Sequence, residues 1–466
     1  MLAKSSSTSS SHSTWLAWVG LAATLAAFLG CTLPYAINIP TLDDYDCGLD
    51  FLVKLTHQTT AWAKVLLLLS TQNNEYKTIL QSGLFWLQYA LFGKLNFRLS
   101  MIIGDLFPVV FGLLLWKLFT PRTSSPAIRL ALSVPAALLF FQLNYAEALN
   151  SPMTALFHLP AVLFAFLAIF LLNDGSGAAF AWSIVALLLG TATATSAFLV
   201  VPIGVVMLVL SKRYARVVVW VLFFGLALVV CRFHYHSPPL SLSAVHVSLL
   251  KGLILKPVFA LAVLGSAAWP LRAPGACALG LALVIFNLYL LRRGYFRRHP
   301  VIGYCEAFLL FIAMGIAQIR LTLGFETSIA SRYRMYSDIL LVFAWFAIAE
   351  EFVLTSDGKL RAPLRRNRLY VTVMVLAVLN AAVCDYKGHK FFKARYEYWT
   401  TGVAAYQHPE FPGSTVGPVL PLVGEDIQRK LTDVHCRKVF GEAIAAGVYA
   451  PPQYPRPTYP LPLQRP

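Results

Sequence analysis

Residues 15–46 read WLAWVGLAATLAAFLGCTLPYAINIPTLDDYD, an apolar run that ends in three carboxylates. The apolar part, residues 15–39, is long enough to cross the ~30 Å hydrocarbon core of a bilayer as a helix. It exceeds the hydrophobic region of a typical signal peptide, and no small-residue cleavage site stands out. This stretch predicts an uncleaved first membrane span that brings Asp43, Asp44 and Asp46 to the outer surface.

Apolar stretches of similar length recur along the chain. Of the 466 residues, 58% are hydrophobic and 13% are charged, and the mean hydropathy is +0.65. A soluble domain cannot bury that much apolar surface, whereas helices that cross a bilayer expose it to lipid. The composition therefore predicts an all-α polytopic membrane protein.

The apolar runs predict about eleven transmembrane helices. They lie near residues 15–39, 97–120, 129–146, 154–173, 177–195, 197–211, 217–235, 274–291, 302–320, 337–354 and 369–385. Basic clusters fall into alternate connections, as expected for cytoplasmic loops. The net charge of +17 is then explained by loops that face anionic lipid headgroups, and nucleic acid is not an expected partner.

Three segments are expected on the outer face, namely residues 40–96, 236–272 and 386–466. In the first of them, residues 78–92 suit a helix that lies in the membrane interface with aromatic anchors. Residues 257–271 are apolar, but a complete span there would place the basic residues 292–298 outside. We therefore interpret 236–272 as an outer amphipathic or re-entrant segment.

The two ends of the chain differ in composition from the apolar middle. Residues 1–14 are rich in serine and are expected to be disordered before the membrane domain, residues 15–385. In the outer tail, a short amphipathic helix at about 422–446 should dock on the outer surface. The Pro-rich end should be extended or disordered.

The acidic trio Asp43, Asp44 and Asp46 is the first candidate for chemistry. Carboxylates within four positions repel one another, which raises the pKa of at least one of them. A carboxylate with a raised pKa is suited to act as a general base. The alternative is a solvated anchor for the loop.

Two further polar motifs lie on the predicted outer face. Glu75 and Lys77, in the run Asn73-Asn74-Glu75-Tyr76-Lys77, cannot face each other along a helix because they are two positions apart. The run Arg332-Tyr333-Arg334 follows Arg320 on the side of the membrane where positive charge is disfavoured. Since guanidinium groups match phosphate oxygens bidentately, this run predicts a phosphate clamp. Headgroup anchoring and pairing with the acidic trio are the alternatives.

Asp105 lies inside the second predicted span, about 12 Å below the outer surface at the rise of an α-helix. An ionisable side chain at that depth usually faces a cavity or a partner. Asp105 therefore either lines the floor of an outward cavity or holds two helices together. The chain has no cysteine spacing typical of a metal site, and Gly-rich phosphate loops and nucleophile elbows are absent from it.

The acidic pair after the first span, the long first outer loop and about eleven spans resemble the GT-C class of polytopic glycosyltransferases. Within that class the chain is similar to a group of bacterial inner-membrane proteins. Those proteins carry an Asn-Glu-His-Arg-like motif in the first loop, a later Ser-Arg-Tyr motif and a Gly-Ile-Tyr-Arg-Pro-Pro-like ending. The counterparts here are Asn74-Glu75-Tyr76-Lys77, Ser331-Arg332-Tyr333 and Gly447-Val448-Tyr449-Ala450-Pro451-Pro452. Tyr76-Lys77 departs from the His-Arg of that motif.

The resemblance implies a glycosyltransferase that moves a sugar from a polyprenyl-phosphate donor to a glycan or lipid acceptor on the outer, periplasmic face. It makes Asp44 the first candidate for the general base and Asp43 the second, with Glu75 as a supporting carboxylate. The residues expected to bind substrate are Arg332, Arg334, Tyr333, Arg320, Lys77, Asp46 and Asp105. A divalent cation that bridges the acidic trio and the phosphate is compatible with this scheme but not required by it.

Two rival functions remain open from the sequence. A transporter or lipid flippase would use Asp105, Glu147 and Arg320 to line a path across the membrane. A non-catalytic protein of envelope assembly would keep the fold without the chemistry. In each case the chain is expected to be a multi-pass protein of a bacterial inner membrane.

The topology is tested by placing a single cysteine at residue 410 in a variant that lacks the seven native cysteines. We expect a membrane-impermeant maleimide to label this cysteine in intact cells because residues 386–466 are predicted outside. A matched cysteine at residue 293, in a predicted cytoplasmic loop, should react only after permeabilisation. Protection of residue 410 in intact cells would overturn the topology.

Overall fold

The computed structural model describes residues 8–41, 43–73, 76–121, 125–236, 249–407 and 426–454, and these are almost entirely helical. The α-helices of these ranges, in chain order, are α1 (Thr8–Thr32), α2 (Phe51–Thr56), α3 (Ala61–Ser70), α4 (Ile79–Phe92), α5 (Phe97–Leu118), α6 (Pro126–Phe140), α7 (Ala146–Leu149), α8 (Pro152–Ala155), α9 (His158–Asp174), α10 (Gly177–Thr193), α11 (Val200–Leu210), α12 (Tyr214–Arg232), α13 (Leu249–Leu264), α14 (Arg272–Arg292), α15 (Tyr295–Arg298), α16 (Pro300–Arg320), α17 (Ser331–Ile348), α18 (Arg368–Gln407) and α19 (Asp426–Ala445). Two short strands, β1 (Gln72–Asn73) and β2 (Tyr76–Lys77), pair antiparallel.

Within the described ranges, 8 helices are long and apolar enough to cross a membrane. They are Thr14–Tyr35, Phe97–Leu118, Pro126–Leu149, Pro152–Asp174, Tyr214–Arg232, Ser266–Arg292, Pro300–Leu323 and Arg368–Ala404. The all-α, multi-pass class predicted from the sequence is therefore confirmed. The count of eleven is not reached, because the runs predicted at 177–195 and 197–211 form shorter helices and α17 begins with charged residues.

α17 lies at the centre of the bundle, although its first turns are polar. Most of its side chains from Tyr333 onwards are buried, and α6, α13, α14 and α16 all contact it. The indole Nε1 of Trp345 donates to the Leu132 carbonyl at 2.7 Å. The fully buried Asp338 accepts from Asn144 Nδ2 at 3.0 Å. Because neighbouring helices satisfy these polar groups, α17 can be more polar than a helix that faces lipid.

The two ends of α17 define the two ends of the bundle. At its N-terminal end Arg332 pairs with Glu147, and Arg320, which precedes α17, donates to Tyr76 of the first loop. Beyond its C-terminal end Glu351 pairs with Arg298, and Glu350 Oε2 lies 2.8 Å from His299 Nε2. We call the end that carries residues 40–96 the outer end.

The first loop forms a second small core at the outer end. Tyr45, Phe85 and Phe97 pack there with Phe440 of α19 and Tyr449. The opposite faces of α3 and α4 expose large apolar side chains, among them Trp62 and Leu91, which are 67% and 66% exposed. Such faces fit the predicted interfacial helices, since aromatic and aliphatic groups favour the headgroup boundary.

The segment predicted to be re-entrant, 236–272, has both ends at the outer end of the bundle. The backbone N–H of His236 donates to Gln72 Oε1 of β1 at 3.0 Å. At the other end Trp269 packs under the Arg334 guanidinium, 4.0 Å from its ring centroid. α13 lies between them, and residues 237–248 are outside the described ranges. The outer or re-entrant character of this segment stays a prediction.

The predicted ends of the membrane domain differ from those observed. α1 begins at Thr8, so part of the segment 1–14 is helical where disorder was expected, and residues 1–7 lie outside the described ranges. α18 runs on to Gln407, so the boundary predicted at residue 386 falls inside a helix. Hydropathy detects where a helix leaves the apolar layer, and it does not detect where the helix itself ends. The helix expected at about 422–446 is present as α19, Asp426–Ala445.

The segment after α19 ties the outer elements together. The Leu95 N–H donates to the Val448 carbonyl at 2.8 Å, and Tyr449 Oη donates to the Asn38 carbonyl at 2.7 Å. Gln407 at the end of α18 donates to the Pro452 carbonyl at 2.9 Å. The C-terminal motif noted in the sequence is therefore a strap that joins the first loop, α18 and α19.

Replacing Tyr449 by Phe tests this strap. The change removes the bond to the Asn38 carbonyl and leaves that carbonyl without its donor, so we expect a loss of about 1 kcal/mol in the free energy of unfolding. Thermal unfolding of the full chain in detergent measures it. Tyr386→Phe, at a side chain 69% exposed, is the matched control. Equal melting temperatures for the two variants would contradict a stabilising strap.

Candidate functional site

Arg332, predicted to bind substrate, lies at the outer end of the bundle with partners from two elements. Arg332 Nη1 pairs with Glu147 Oε1 at 2.8 Å, and its guanidinium lies 5.3 Å from the ring centroid of Tyr333. Both partners keep part of their surface exposed. Arg332 is therefore held in place without being sealed off from a ligand.

Arg320 and Tyr76 connect this arginine to the first outer loop. Arg320 Nη2 donates to Tyr76 Oη at 3.2 Å. The Tyr76 ring packs edge-on against Phe157, with centroids 5.0 Å apart. Tyr333 also lies near this group, with its ring 6.3 Å from that of His158. Tyr76 occupies the position at which the Asn-Glu-His-Arg-like motif has histidine. Its contact with Arg320 connects the first loop to the arginines.

Asp44 lies in the base of the first loop and is fully buried, with 0% of its surface exposed. Its Oδ2 accepts from the backbone N–H and the hydroxyl of Thr41, at 2.8 and 3.0 Å. Its Oδ1 accepts from the Met153 N–H at 2.8 Å. Met153 is in the first turn of α8, so this carboxyl joins the loop to the membrane bundle.

Burial also sets the protonation of Asp44. Loss of hydration raises the pKa of Asp44 to about 8, against the lowering effect of the bonds from Thr41 and Met153, and the nearby Asp43 raises it further. The prediction that one carboxyl of the trio has a raised pKa is confirmed. The main cause is burial, whereas the sequence suggested repulsion among the three carboxylates.

A short path of contacts links Asp44 to Arg332. Met153, which bonds Asp44, is followed by Thr154, whose hydroxyl donates to the Glu147 carbonyl at 3.2 Å. The carboxylate of Glu147 in turn holds Arg332. Asp44 and Arg332 are therefore linked through α7 and α8.

The other two aspartates of the trio have different surroundings. Asp43 is partly exposed, and its carbonyl accepts from the Cys47 N–H at 2.9 Å. Asp46 is exposed and its Oδ1 lies 2.7 Å from His435 Nε2 of α19. Asp46 thus contributes to the contact between the first loop and the C-terminal helix.

Lys77 is buried at the start of α4. Its ammonium donates to the carbonyls of Leu69 and Ser70 at the end of α3, at 3.2 and 3.4 Å. A third bond, at 2.6 Å, reaches the Phe233 carbonyl after α12. A cation at two helix C-termini satisfies carbonyls that have no partner within their helices, so Lys77 anchors the loop.

Glu75 and Asp105 are two further predicted site residues. Glu75 lies outside the described residues, as does Asn74. Asp105 is buried in α5, with 1% of its surface exposed, and lies deeper in the bundle than the Arg332 group. The described residues contain no group of three or more His, Cys, Asp or Glu side chains arranged to hold a metal ion.

Arg334 has partners different from those of Arg332. Residues two apart on a helix point about 200° away from each other. Arg334 Nε donates to the Ile329 carbonyl at 2.9 Å, and its guanidinium stacks on Trp269. The single clamp suggested by the sequence is therefore divided between two places.

Several residues at the outer end were missed by sequence reasoning. In the sequence Trp269 is part of the apolar run 257–271. Lys387 and Arg395 belong to the predicted tail, residues 386–466. Lys387 Nζ lies 4.2 Å from the Trp269 ring centroid, and Arg395 stacks on Phe391 at 5.2 Å. The basic residues of 387–395, on the side where positive charge is disfavoured, were the available signal.

Comparison with known proteins does not identify a family. No protein-family model, no curated protein and no solved structure matches this chain. The resemblance to GT-C glycosyltransferases therefore supports a proposal and not an identification.

The protonation of Asp44 has a consequence for stability. Because its pKa of about 8 in the folded chain exceeds the ordinary 3.8, the folded state binds the proton more tightly than the unfolded state. This contribution is complete below about pH 4 and is lost as the pH rises through about pH 8. We expect the melting temperature of the wild type to fall across this range relative to Asp44→Asn, which does not titrate.

Thermal unfolding in detergent at a series of pH values measures the difference. Asp357→Asn, on an exposed turn, controls for the loss of one acidic side chain, and its profile should follow the wild type. Parallel profiles for the wild type and Asp44→Asn would show that Asp44 is ionised in the folded chain.

Proposed function

We propose that this protein transfers a glycosyl unit from a polyprenyl-phosphate donor to a glycan or lipid acceptor at the outer membrane surface. The observation that carries the proposal is the pair of guanidinium groups on Arg320 and Arg332, which lie beside Tyr76 and Tyr333 at the outer end of the bundle. This group joins cations, hydroxyls and the first loop at one end of the bundle, which supports binding of a phosphate there.

The pair suits the departing phosphate. In the transfer, the acceptor oxygen attacks the anomeric carbon, and the bond from that carbon to the phosphate oxygen breaks with its electron pair on the phosphate. Guanidinium groups stabilise the charge that develops there. Glu147 holds Arg332 in place through one nitrogen, which leaves the rest of the planar fork to face phosphate oxygens.

Asp43 is the better candidate for the general base. Asp44 is enclosed, and both of its oxygens accept hydrogen bonds. With a pKa of about 8, it is protonated at neutral pH and has no free oxygen to accept a proton. Asp43, the preceding residue, is partly exposed and would take the proton of the acceptor hydroxyl. Asp44 then acts as a positioning residue that fixes the loop to α8.

A base on one side and a phosphate clamp on the other suit a single displacement with inversion at the anomeric carbon. Glu75 would supply a second carboxylate from the same loop. Lys77, whose ammonium is used by three carbonyls, would support that loop, and Asp46 would hold α19 near it. The lipid donor explains why no nucleotide-binding motif is needed.

A transporter or lipid flippase is the rival function, and buried carboxylates favour it. Asp105, Glu306 and Asp338 are buried within the bundle, where ionisable groups often mark a path. However, Asp338 is held by Asn144, which is the behaviour of a group that fastens helices. The cations Arg320, Arg332 and Arg334 gather at one end, which favours chemistry at a surface over passage through the membrane.

Paired substitutions in the full-length protein test the proposal. Asp43→Asn removes the base and should lower transfer by about 100-fold or more, whereas Asp357→Asn, on an exposed turn, should leave it within about twofold of the wild type. Arg332→Gln should lower kcat more than it raises KM because the charge it stabilises develops in the transition state, and Arg332→Lys should recover part of the rate.

The measurement is transfer of radiolabelled sugar from the polyprenyl-phosphate pool of membrane vesicles, with protein level and melting temperature recorded for each variant. Wild-type transfer by a folded Asp43→Asn variant would remove the base assignment. Lipid or solute movement that persists in all variants, without sugar transfer by the wild type, would favour the rival function.

A further inference from the structure

Trp269 lies between two cations at the outer end of the bundle. The centroid of its ring is 4.0 Å from Cζ of Arg334 and 4.2 Å from Nζ of Lys387. Trp269 belongs to the 3₁₀ segment Ser266–Leu271, Arg334 to α17 and Lys387 to α18. Three elements that are distant in sequence thus bring an aromatic ring and two positive charges to one point.

The indole N–H of Trp269 lacks an acceptor among the described residues. Its Nε1 is buried and has no hydrogen-bond partner among the described residues. A buried N–H without an acceptor is unfavourable, and a specific instance in a folded protein calls for an explanation. An acceptor at the edge of the ring, supplied by a ligand, would provide one.

The two cations are arranged to serve the same acceptor. Arg334 is fixed because Nε donates to the Ile329 carbonyl at 2.9 Å and Nη1 to the Asn144 carbonyl at 3.4 Å. Lys387 is exposed, and among the described residues no acid forms an ion pair with it. Like charges on one ring repel each other. A shared anion would turn this repulsion into attraction and use the indole N–H as a third donor.

The nearby acidic groups already have other partners. Glu147 pairs with Arg332, and both carboxylate oxygens of Asp338 accept from Asn144 Nδ2. Asp385, two positions before Lys387, accepts from the Leu143 N–H at 2.9 Å. With these described carboxylates engaged elsewhere, an anion from outside the chain fits the place at Trp269.

The surroundings indicate a lipid. Leu271, two positions after Trp269, is 71% exposed, and Tyr386 next to Lys387 is 69% exposed. Apolar side chains that face outwards beside cations match the boundary between acyl chains and headgroups, where lysine, arginine and tyrosine bind phosphate and glycerol oxygens.

We propose that Trp269, Arg334 and Lys387 form a binding site for the phosphate of an anionic phospholipid headgroup, separate from the Arg320–Arg332 pair. The indole N–H donates to one phosphate oxygen, the free nitrogen of Arg334 to a second, and the Lys387 ammonium to a third. This site does not depend on whether the chain transfers sugar, because it binds a lipid and changes no bond.

The test uses the full chain purified in a zwitterionic detergent and exchanged into mixed micelles of phosphatidylglycerol and phosphatidylcholine. Phosphatidylglycerol retained per protein after repeated washing is measured by mass spectrometry of the extracted lipid. Lys387→Gln removes one charge, and Trp269→Phe keeps the ring but removes the N–H. We expect each to lower retention of phosphatidylglycerol about tenfold, the effect of one lost charge-assisted hydrogen bond.

Two controls keep the result interpretable. Lys393→Gln, at an exposed lysine of the same helix that lies 3.9 Å from Glu397, should retain lipid like the wild type. Lys387→Arg should retain most of it, and melting temperatures identify any variant that fails to fold. Retention by Lys387→Gln and Trp269→Phe equal to that of Lys393→Gln would overturn the site.

A second arm separates lipid from free phosphate. Inorganic phosphate added at millimolar concentration should not displace phosphatidylglycerol from the wild type, because the apolar surroundings add to the binding of a lipid and not to that of the free ion. Displacement by inorganic phosphate would overturn the assignment to a lipid and would identify a site for soluble anions.

Discussion

The outer half of this protein depends on one buried carboxyl. Asp44 joins Thr41, at the end of the first span, to Met153, at the start of the helix pair α8 and α9. Everything that the first loop brings to the bundle follows from this anchor, including Tyr76 against Phe157 and its bond from Arg320. A neutral acid is suited to this role, because it keeps its acceptors at a position where a charge would be costly.

The same principle explains the unusual central helix. α17 begins with two arginines, contains Asp338 and ends near Glu350 and Glu351, yet it is enclosed by apolar helices. Each of these groups has a partner on another element, such as Asn144 for Asp338 and His299 for Glu350. Polar groups inside a bilayer protein are tolerated when protein replaces the missing water. The bundle therefore concentrates cations at its outer end without exposing them to hydrocarbon.

Several elements were predictable because they obey local rules. The first span, the multi-pass helical class, the interfacial helices of the first loop and the amphipathic α19 follow from hydropathy over a window of residues. Arg332 and Arg334 were identified as candidate binding residues because positive charge is rare on the predicted outer side. The ends of α18 and the short helices α10 and α11 were less well predicted, since hydropathy reports the apolar layer and does not report the length of a helix.

The amino-acid sequence by itself determined that this is a helical multi-pass protein, and it predicted its acidic loop and its late arginines on one side. The tertiary structure decided which aspartate is buried, which arginine meets Tyr76 and which meets Trp269, and that Lys77 is an anchor. The reason is physical. Insertion into a bilayer depends on local composition, which is written along the chain, whereas burial, protonation and ion pairing depend on neighbours such as Met153, Glu147 and Lys387 that are distant in sequence.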